Sequence, residues 1–234
     1  MSLILTLDTA TEKATVLLQN NAQLLAFRQN DAPMQHAGFI HPAIESVCSE
    51  AGIELSQLSG VVVVNGPGSY TGLRVGLSTA KGICFAMNLP LYVINTLTIM
   101  AAASIRLWKE SGGIITAETG FCPMIDARRM EVFTAIYSET LKPMIEPCAL
   151  ILDSDEGKNF INKKNIIFSG PGAKKIQLPT SLPLYIFPNI TYSPSDICEQ
   201  TFRQWETGSA TNLAYSEPTY IKDFYNASVI KSQG

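Results

Sequence analysis

Residues 61–64 are all valine, and they run into Asn65-Gly66-Pro67-Gly68-Ser69-Tyr70-Thr71-Gly72-Leu73-Arg74-Val75-Gly76. The valines read as a strand buried on both faces, and the Gly-Pro-Gly turn ends it just before a helix. A glycine turn between a parallel strand and a helix gathers backbone N–H groups and the positive helix end at one spot, which suits a phosphate or another anion. It suits a tight turn with no ligand equally well. The fold is constrained because the pattern recurs. Ile166-Ile167-Phe168-Ser169 leads into Gly170-Pro171-Gly172-Ala173, where a further helix is expected. Upstream of each turn lies a strand, an Asp, a turn and a second strand. The first such unit carries Asp8-Thr9-Ala10-Thr11, and the second carries Asp126-Ala127-Arg128-Arg129. The repeated order predicts two halves of one topology, a diverged duplication.

The chain has 234 residues, 46% hydrophobic and 16% charged, enough for one large domain or two small ones with their own cores. Ser111-Gly112-Gly113 is the clearest break, so halves of 1–110 and 111–234 are expected. The net charge of −3 lacks the basic excess of chains that bind nucleic acid by bulk charge, so any RNA contact is expected through another subunit. No apolar run approaches the roughly 20 residues that span a bilayer, and the first residues enter a strand without a basic region or cleavage site. A cytoplasmic protein with no membrane contact is expected. The five cysteines are widely spaced and form no Cys-x-x-Cys pair, which predicts reduced, buried thiols.

Spacing predicts a three-strand meander over 3–28, turning at Asn20-Asn21, and then a helix over 35–51. Pro42 should kink that helix or mark its first turn. Further helices are expected over 71–87, 97–109, 154–162 and 195–205. Further strands are expected over 91–94, 122–126, 130–137, 144–151 and 184–187. Residues 218–221 read as an extended segment docking back on the fold, and a polar tail starts at Asn226. The helix over 71–87 carries two rows of small residues, Gly72, Gly76 and Ala80, and Ser78, Gly82 and Ala86. Glycine inside a helix costs about 1 kcal/mol against alanine, so a close backbone approach is expected on two sides. One row suits the protein's own sheet, and the other a neighbouring helix or a partner subunit.

Asp8 ends a buried strand, where it either holds a metal through water beside a phosphate or closes the turn through its own backbone. His36 and His41, the only histidines, are five residues apart and do not share a helix face, so a metal pair is not expected. No Ser-His-Asp or Cys-His set can be assembled. Arg128 or Arg129 could pair with a carboxylate or phosphate, while Lys163-Lys164 and Lys174-Lys175 read as surface charge.

Leu5-Thr6-Leu7-Asp8-Thr9-Ala10-Thr11, the run from Gly66 to Gly76, and Ile125-Asp126-Ala127-Arg128-Arg129-Met130-Glu131-Val132-Phe133 together resemble the bacterial TsaB (YeaZ) family. Glu217-Pro218-Thr219-Tyr220-Ile221-Lys222 is similar to that family's C-terminal Pro-x-Tyr-Leu-Arg. The resemblance implies an α/β, actin-like and Hsp70-like ATPase (ASKHA) fold of two RNase-H-like halves. It implies a non-catalytic scaffold subunit that binds a TsaD-type catalytic subunit and, through it, a TsaE-type ATPase. The assembly places a threonylcarbamoyl group on N6 of adenosine-37 in tRNAs reading ANN codons. TsaD-type proteins carry a His-x-x-x-His metal motif, absent here, so neither a metal nor metallopeptidase activity is expected. Ala10 stands where active members of the wider fold have Gly. No cofactor is required of the chain, with weak ATP or ADP binding expected at most at a subunit junction. Asp8, Thr9, Thr11, Gly66, Gly68 and Ser69 form the candidate phosphate loop. The family's partner surface maps to the first-half helices, giving Phe39, Ile44, Val47, Val75, Thr79 and Gly82 as candidate contacts, and a homodimer when the partner is absent. The alternative is an ATP-dependent phosphotransferase or ATPase of the same fold using Asp8 and Asp126.

Overall fold

The computed structural model describes residues 2–30, 35–176, 185–187 and 191–221. The first half begins with an antiparallel meander, β1 (Leu3–Asp8), β2 (Thr15–Asn20) and β3 (Gln23–Gln29), turning at Asn21 with φ 51°. Helix α1 (His36–Ala51) leads to β4 (Gly60–Val64), α2 (Tyr70–Met87), β5 (Leu91–Ile94) and α3 (Thr96–Glu110). The second half repeats this with β6 (Gly120–Asp126), β7 (Glu131–Tyr137), β8 (Pro143–Ile151), α4 (Asp155–Ile161), β9 (Ile166–Ser169), β10 (Tyr185–Phe187) and α5 (Pro194–Thr207). The sheets run β3-β2-β1-β4-β5 and β10-β9-β6-β7-β8, so the halves correspond strand for strand. In each, the first strand pairs antiparallel with the second and parallel with the fourth.

Pro42 lies inside α1, which excludes the first-turn alternative. After the second Gly-Pro-Gly the expected helix is a short 3-10 turn, Pro171–Lys175. The polar tail expected from Asn226 lies outside the described residues. All five cysteines are free, four of them buried and Cys148 half-buried. Among the described residues no helix is long and apolar enough to cross a membrane.

The first sheet is covered on both faces, which is why its central strands are uninterrupted apolar runs. Leu5, Leu7, Val61 and Val63 pack against Ile40, Ile44 and Val47 of α1 and Leu77 and Ala80 of α2. On the other face, Ile4, Leu17 and Val62 meet Ile99 of α3 and Ile197 of α5. Helix α3 also packs on the second sheet, with Leu97 and Met100 against Ala135 and Tyr137, and Trp108 against Phe121 and Ile167. The helix that closes each half therefore covers the sheet of the other. The expected break at 111–113 follows the last turn of α3, but packing divides the chain differently, because α5 and residues 211–221 return to the first half.

Polar contacts join the two halves across this exchange. Arg106 of α3 holds Asp196 of α5 through two bonds of 2.8 and 3.0 Å, and Asp196 also caps the start of α5 with Ser193. The Ser104 hydroxyl of α3 donates to the Ser169 hydroxyl on β9 at 2.6 Å, and Thr201 of α5 donates to Gln19 of β2 at 2.8 Å.

The two small-residue rows of α2 have opposite surroundings. Gly72, Gly76 and Ala80 are buried. A Cβ at Gly72 would overlap the Thr9 carbonyl oxygen and come within 2.9 Å of His36 Cδ2. Ser78, Gly82 and Ala86 are exposed, and a Cβ at Gly82 would meet nothing within 4 Å. Gly72→Ala is expected to destabilise the fold by about 2 kcal/mol through overpacking against backbone. Gly82→Ala should stabilise it by about 0.5–1 kcal/mol through helix propensity alone. Urea unfolding midpoints check both signs, and a destabilised Gly82→Ala would contradict the assignment of the open row.

Candidate functional site

The turn after β1 and the turn after β4 are packed into each other. Asp8 Oδ1 accepts from the Ala10 N–H at 2.9 Å, and Asp8 Oδ2 accepts from the Tyr192 hydroxyl at 2.7 Å. The Thr9 hydroxyl donates to the Gly72 carbonyl at 2.7 Å, and the Ser69 N–H donates to the Ala10 carbonyl at 2.7 Å. Ser69 also caps α2, its hydroxyl accepting from the Gly72 N–H at 3.2 Å. The space beside Gly68 is filled by the Ala10 carbonyl oxygen, which a Cβ there would overlap. The Thr11 hydroxyl turns to the Lys13 carbonyl at 3.2 Å, and Gly66 is buried under the backbone of Thr219.

The candidate phosphate loop of Asp8, Thr9, Thr11, Gly66, Gly68 and Ser69 is thus brought together, but it does not fit a phosphate. The N–H groups of Ala10 and Ser69 and the hydroxyl of Thr9 are committed inside the contact, and the approach over Gly68 is closed. The second half shows the same turn in another state. Asp126 accepts from the Arg128 N–H at 2.6 Å, as Asp8 does from Ala10, but its other partner is the Lys175 ammonium at 2.5 Å. The two aspartates face separate polar networks. Among the described residues no group of three His, Cys, Asp or Glu side chains comes together as a metal site, and burial lowers the pKa of His36 below the usual imidazole value.

The open surface lies between α1 and α2, in two adjoining depressions of about 440 and 400 Å³ that share His41, Ser78 and Thr79. Ala37, Val75 and Arg74 line one end; Gly82, Ala86 and Met87 line the other. Beyond them Phe85 is 83% exposed. Of the candidate contacts, Val75, Thr79 and Gly82 line this groove, and Phe39 is half-buried against the first core. Ile44 and Val47 are corrected: they are 5% and 0% exposed, on the inward stripe of α1. The broad apolar face read from the sequence is the core face. The outward positions include Ala37 and His41, one helical turn apart, with the exposed Glu45 one turn further on. Tyr70, Arg74, Phe85 and Met87 were not anticipated, although they lie on the exposed side of the helix.

The C-terminal segment runs antiparallel along the other flank of α2. Thr211 bridges to Leu91, the Lys81 ammonium donates to the carbonyls of Ala214 and Ser216 at 3.2 Å each, and Asn65 donates to the Glu217 carbonyl at 2.8 Å. The Thr219 N–H then donates to the Asn65 carbonyl at 2.8 Å. This is the docking expected of residues 218–221.

Residues 30–217 match the family model for TsaD, tRNA N6-adenosine threonylcarbamoyltransferase. The chain is similar to the tRNA threonylcarbamoyladenosine biosynthesis protein TsaB of Escherichia coli (strain K12), 33% identical over 134 residues, covering 57% of this chain and 54% of that protein. It is similar to the protein of the same description from Bacillus subtilis (strain 168), 29% identical over 134 residues, 57% of this chain and 54% of the relative. The chain thus spans about half the length of the curated relatives it matches. Among solved structures, YeaZ from Pseudomonas aeruginosa superposes with a TM-score of 0.75 at 23% identity, over 94% of this chain and 100% of that one. The chain shares with that structure a mixed α/β fold of two five-stranded sheets flanked by helices, with matching strand orders in the two halves.

Asp8 is 1% exposed. Burial raises its carboxyl from 3.8 to about 6, against the opposing hydrogen bonds from Ala10 and Tyr192. A carboxyl with a higher pKa folded than unfolded contributes its full stability at low pH and loses it as pH rises through the folded value. The loss between about pH 4 and pH 7 is expected to be on the order of 3 kcal/mol and to be absent in Asp8→Asn. Urea unfolding of both proteins at the two pH values measures it, and a constant difference between them would contradict the assignment.

Proposed function

The chain belongs to the TsaB (YeaZ) branch of the TsaD family, and from that premise we propose that it serves tRNA threonylcarbamoyladenosine biosynthesis as a non-catalytic subunit, docking a TsaD-type catalytic subunit through the α1–α2 face. The observation that carries this reading is the groove between α1 and α2, with the outward row Ser78, Gly82 and Ala86 and the 83% exposed Phe85 beside it. Small side chains let a partner helix approach closely, and an exposed apolar patch rimmed by polar residues is the usual form of a protein interface. The arrangement around Asp8 supports the absence of a catalytic role. Its carboxylate is committed to the Ala10 N–H and the Tyr192 hydroxyl, and Asp126 is held by Lys175. An ATP-dependent enzyme would need one of them free to face a nucleotide.

In this reading the chain acts in the cytoplasm and needs no cofactor of its own. A nucleotide, where one binds, sits at the subunit junction and not in the Asp8 turn. A TsaE-type ATPase joins through the catalytic subunit, and tRNA is contacted indirectly, consistent with a net charge of −3. Without its partner, the same face pairs two copies of the chain around a two-fold axis.

Light scattering after size exclusion tests this directly, on the chain alone and mixed with the TsaD-type protein of the same organism. A one-to-one complex is expected to replace the self-dimer. Val75→Glu, which places a charge in the groove, should weaken it at least tenfold, by about 1.4 kcal/mol or more. Gly82→Glu, at a position with no neighbour to disturb, should do the same in a chain whose unfolding is unchanged. A complex of undiminished affinity in both variants would contradict the docking face.

A further inference from the structure

Arg74 is set unlike the other cation on the outer side of α2. Lys81 is committed to two backbone carbonyls of the C-terminal segment. Arg74 instead lies with its guanidinium carbon 4.0 Å from the centre of the Tyr70 ring, and its Nε donates to the Tyr220 hydroxyl at 3.0 Å. The two rings are themselves 5.4 Å apart. Among the described residues no acidic side chain pairs with Arg74, whereas Arg28, Arg106, Lys109 and Lys175 each have a carboxylate. A guanidinium offers a planar fork of five N–H donors that matches a carboxylate, and one donor of this fork goes to Tyr220.

The groove that Arg74 borders is one-sided in charge. Neither depression is lined by an aspartate or glutamate; Arg74 is the charged group at its edge, and His41 the other basic side chain. The lining along the axis is small or apolar, from Ala37 and Val75 to Gly82 and Ala86. The 18 residues of α2 give the groove a length of about 27 Å, enough for several turns of a partner helix. A long arginine side chain normally loses its freedom on binding. Here the tyrosines have ordered it in advance, which is the form of a prearranged contact.

We propose that Arg74, held by Tyr70 and Tyr220, is the charged anchor of the α1–α2 face and receives an aspartate or glutamate side chain from an apolar partner helix lying in the groove. The inference rests on the docking reading above and adds the chemistry of the partner: small or apolar residues at helical spacing, with an acid at the end nearest the start of α2. Tyr220 is a positioning residue. The C-terminal segment runs along the flank of α2 and places the Tyr220 hydroxyl on Nε, so this segment takes part in docking without lying in the groove.

The experiment is a calorimetric titration of the TsaD-type partner at about 50 and 300 mM salt, below and above physiological screening. Unmodified chain, Arg74→Gln, Tyr220→Phe and Gly82→Glu are compared, each first shown folded by circular dichroism. Arg74→Gln is expected to bind about tenfold more weakly at low salt and to lose most of the salt dependence. Tyr220→Phe should bind about threefold more weakly and keep the salt dependence, since the charge remains but is less ordered. Arg74→Glu should abolish binding, and a partner acid changed to lysine should restore it. Arg74→Gln binding within twofold of the unmodified chain at both salts, while Gly82→Glu still disrupts the complex, would overturn the anchor and leave the docking face standing. Loss of ATP binding in Arg74→Gln with the protein complex unaffected would assign the guanidinium to a phosphate and overturn the proposal equally. Absence of any complex with the unmodified chain would overturn both readings.

Discussion

At Gly68 and Gly72 the turn after β4 approaches the turn after β1 so closely that the Ala10 and Thr9 carbonyl oxygens occupy the places where side chains would begin. The contact is then held by the Ser69 N–H on Ala10 and the Thr9 hydroxyl on Gly72. Much of the first half depends on it. It sets the start of α2, and with it the buried row that presses on the sheet. The opposite row, a third of a turn or more around the helix, is thereby turned outward beside α1. The same glycines that would admit a phosphate to a nucleotide-binding protein here admit backbone. The motif keeps its geometry and changes its occupant.

The joint between the halves follows from the same place. Asp8 ends β1 at this contact and takes the Tyr192 hydroxyl, which leads into α5. Arg106 grips the first turn of α5 from α3, so the helix contributed by the second half is fastened to the first at both β1 and α3. The buried carboxylate of Asp8 is thereby occupied by a tyrosine hydroxyl from the approach to α5. The groove between α1 and α2 is left uncovered by the other described residues.

Much of this architecture was legible in the sequence, for identifiable reasons. Strands such as residues 61–64 are buried on both faces and advertise themselves as unbroken runs. The duplication was legible because two Gly-Pro-Gly turns follow two Asp turns in the same order. After Gly170 the described residues form only a short 3-10 turn, Pro171–Lys175, where the first copy has an uninterrupted helix. The site was less legible. Ile44 and Val47 are apolar because they face the core, and apolarity alone does not separate a core face from a partner face. The outward face was marked by small residues instead, and Gly82 and Thr79 lie on it. The bond between Asp8 and Tyr192 spans 184 residues and leaves no local trace, so the sequence left the role of Asp8 open. The stacking of Tyr70, Arg74 and Tyr220 depends likewise on a chain return that periodicity does not encode.

The central claim is that the chain works through the α1–α2 face and not through the turn at Asp8. Hydrogen–deuterium exchange on the chain with and without its TsaD-type partner tests this most directly. Slowed exchange across residues 36–51 and 70–87 on complex formation, with residues 8–11 unchanged, is the predicted result. Unchanged exchange in both helices, with protection appearing at residues 8–11 and 126–131 instead, would contradict the account.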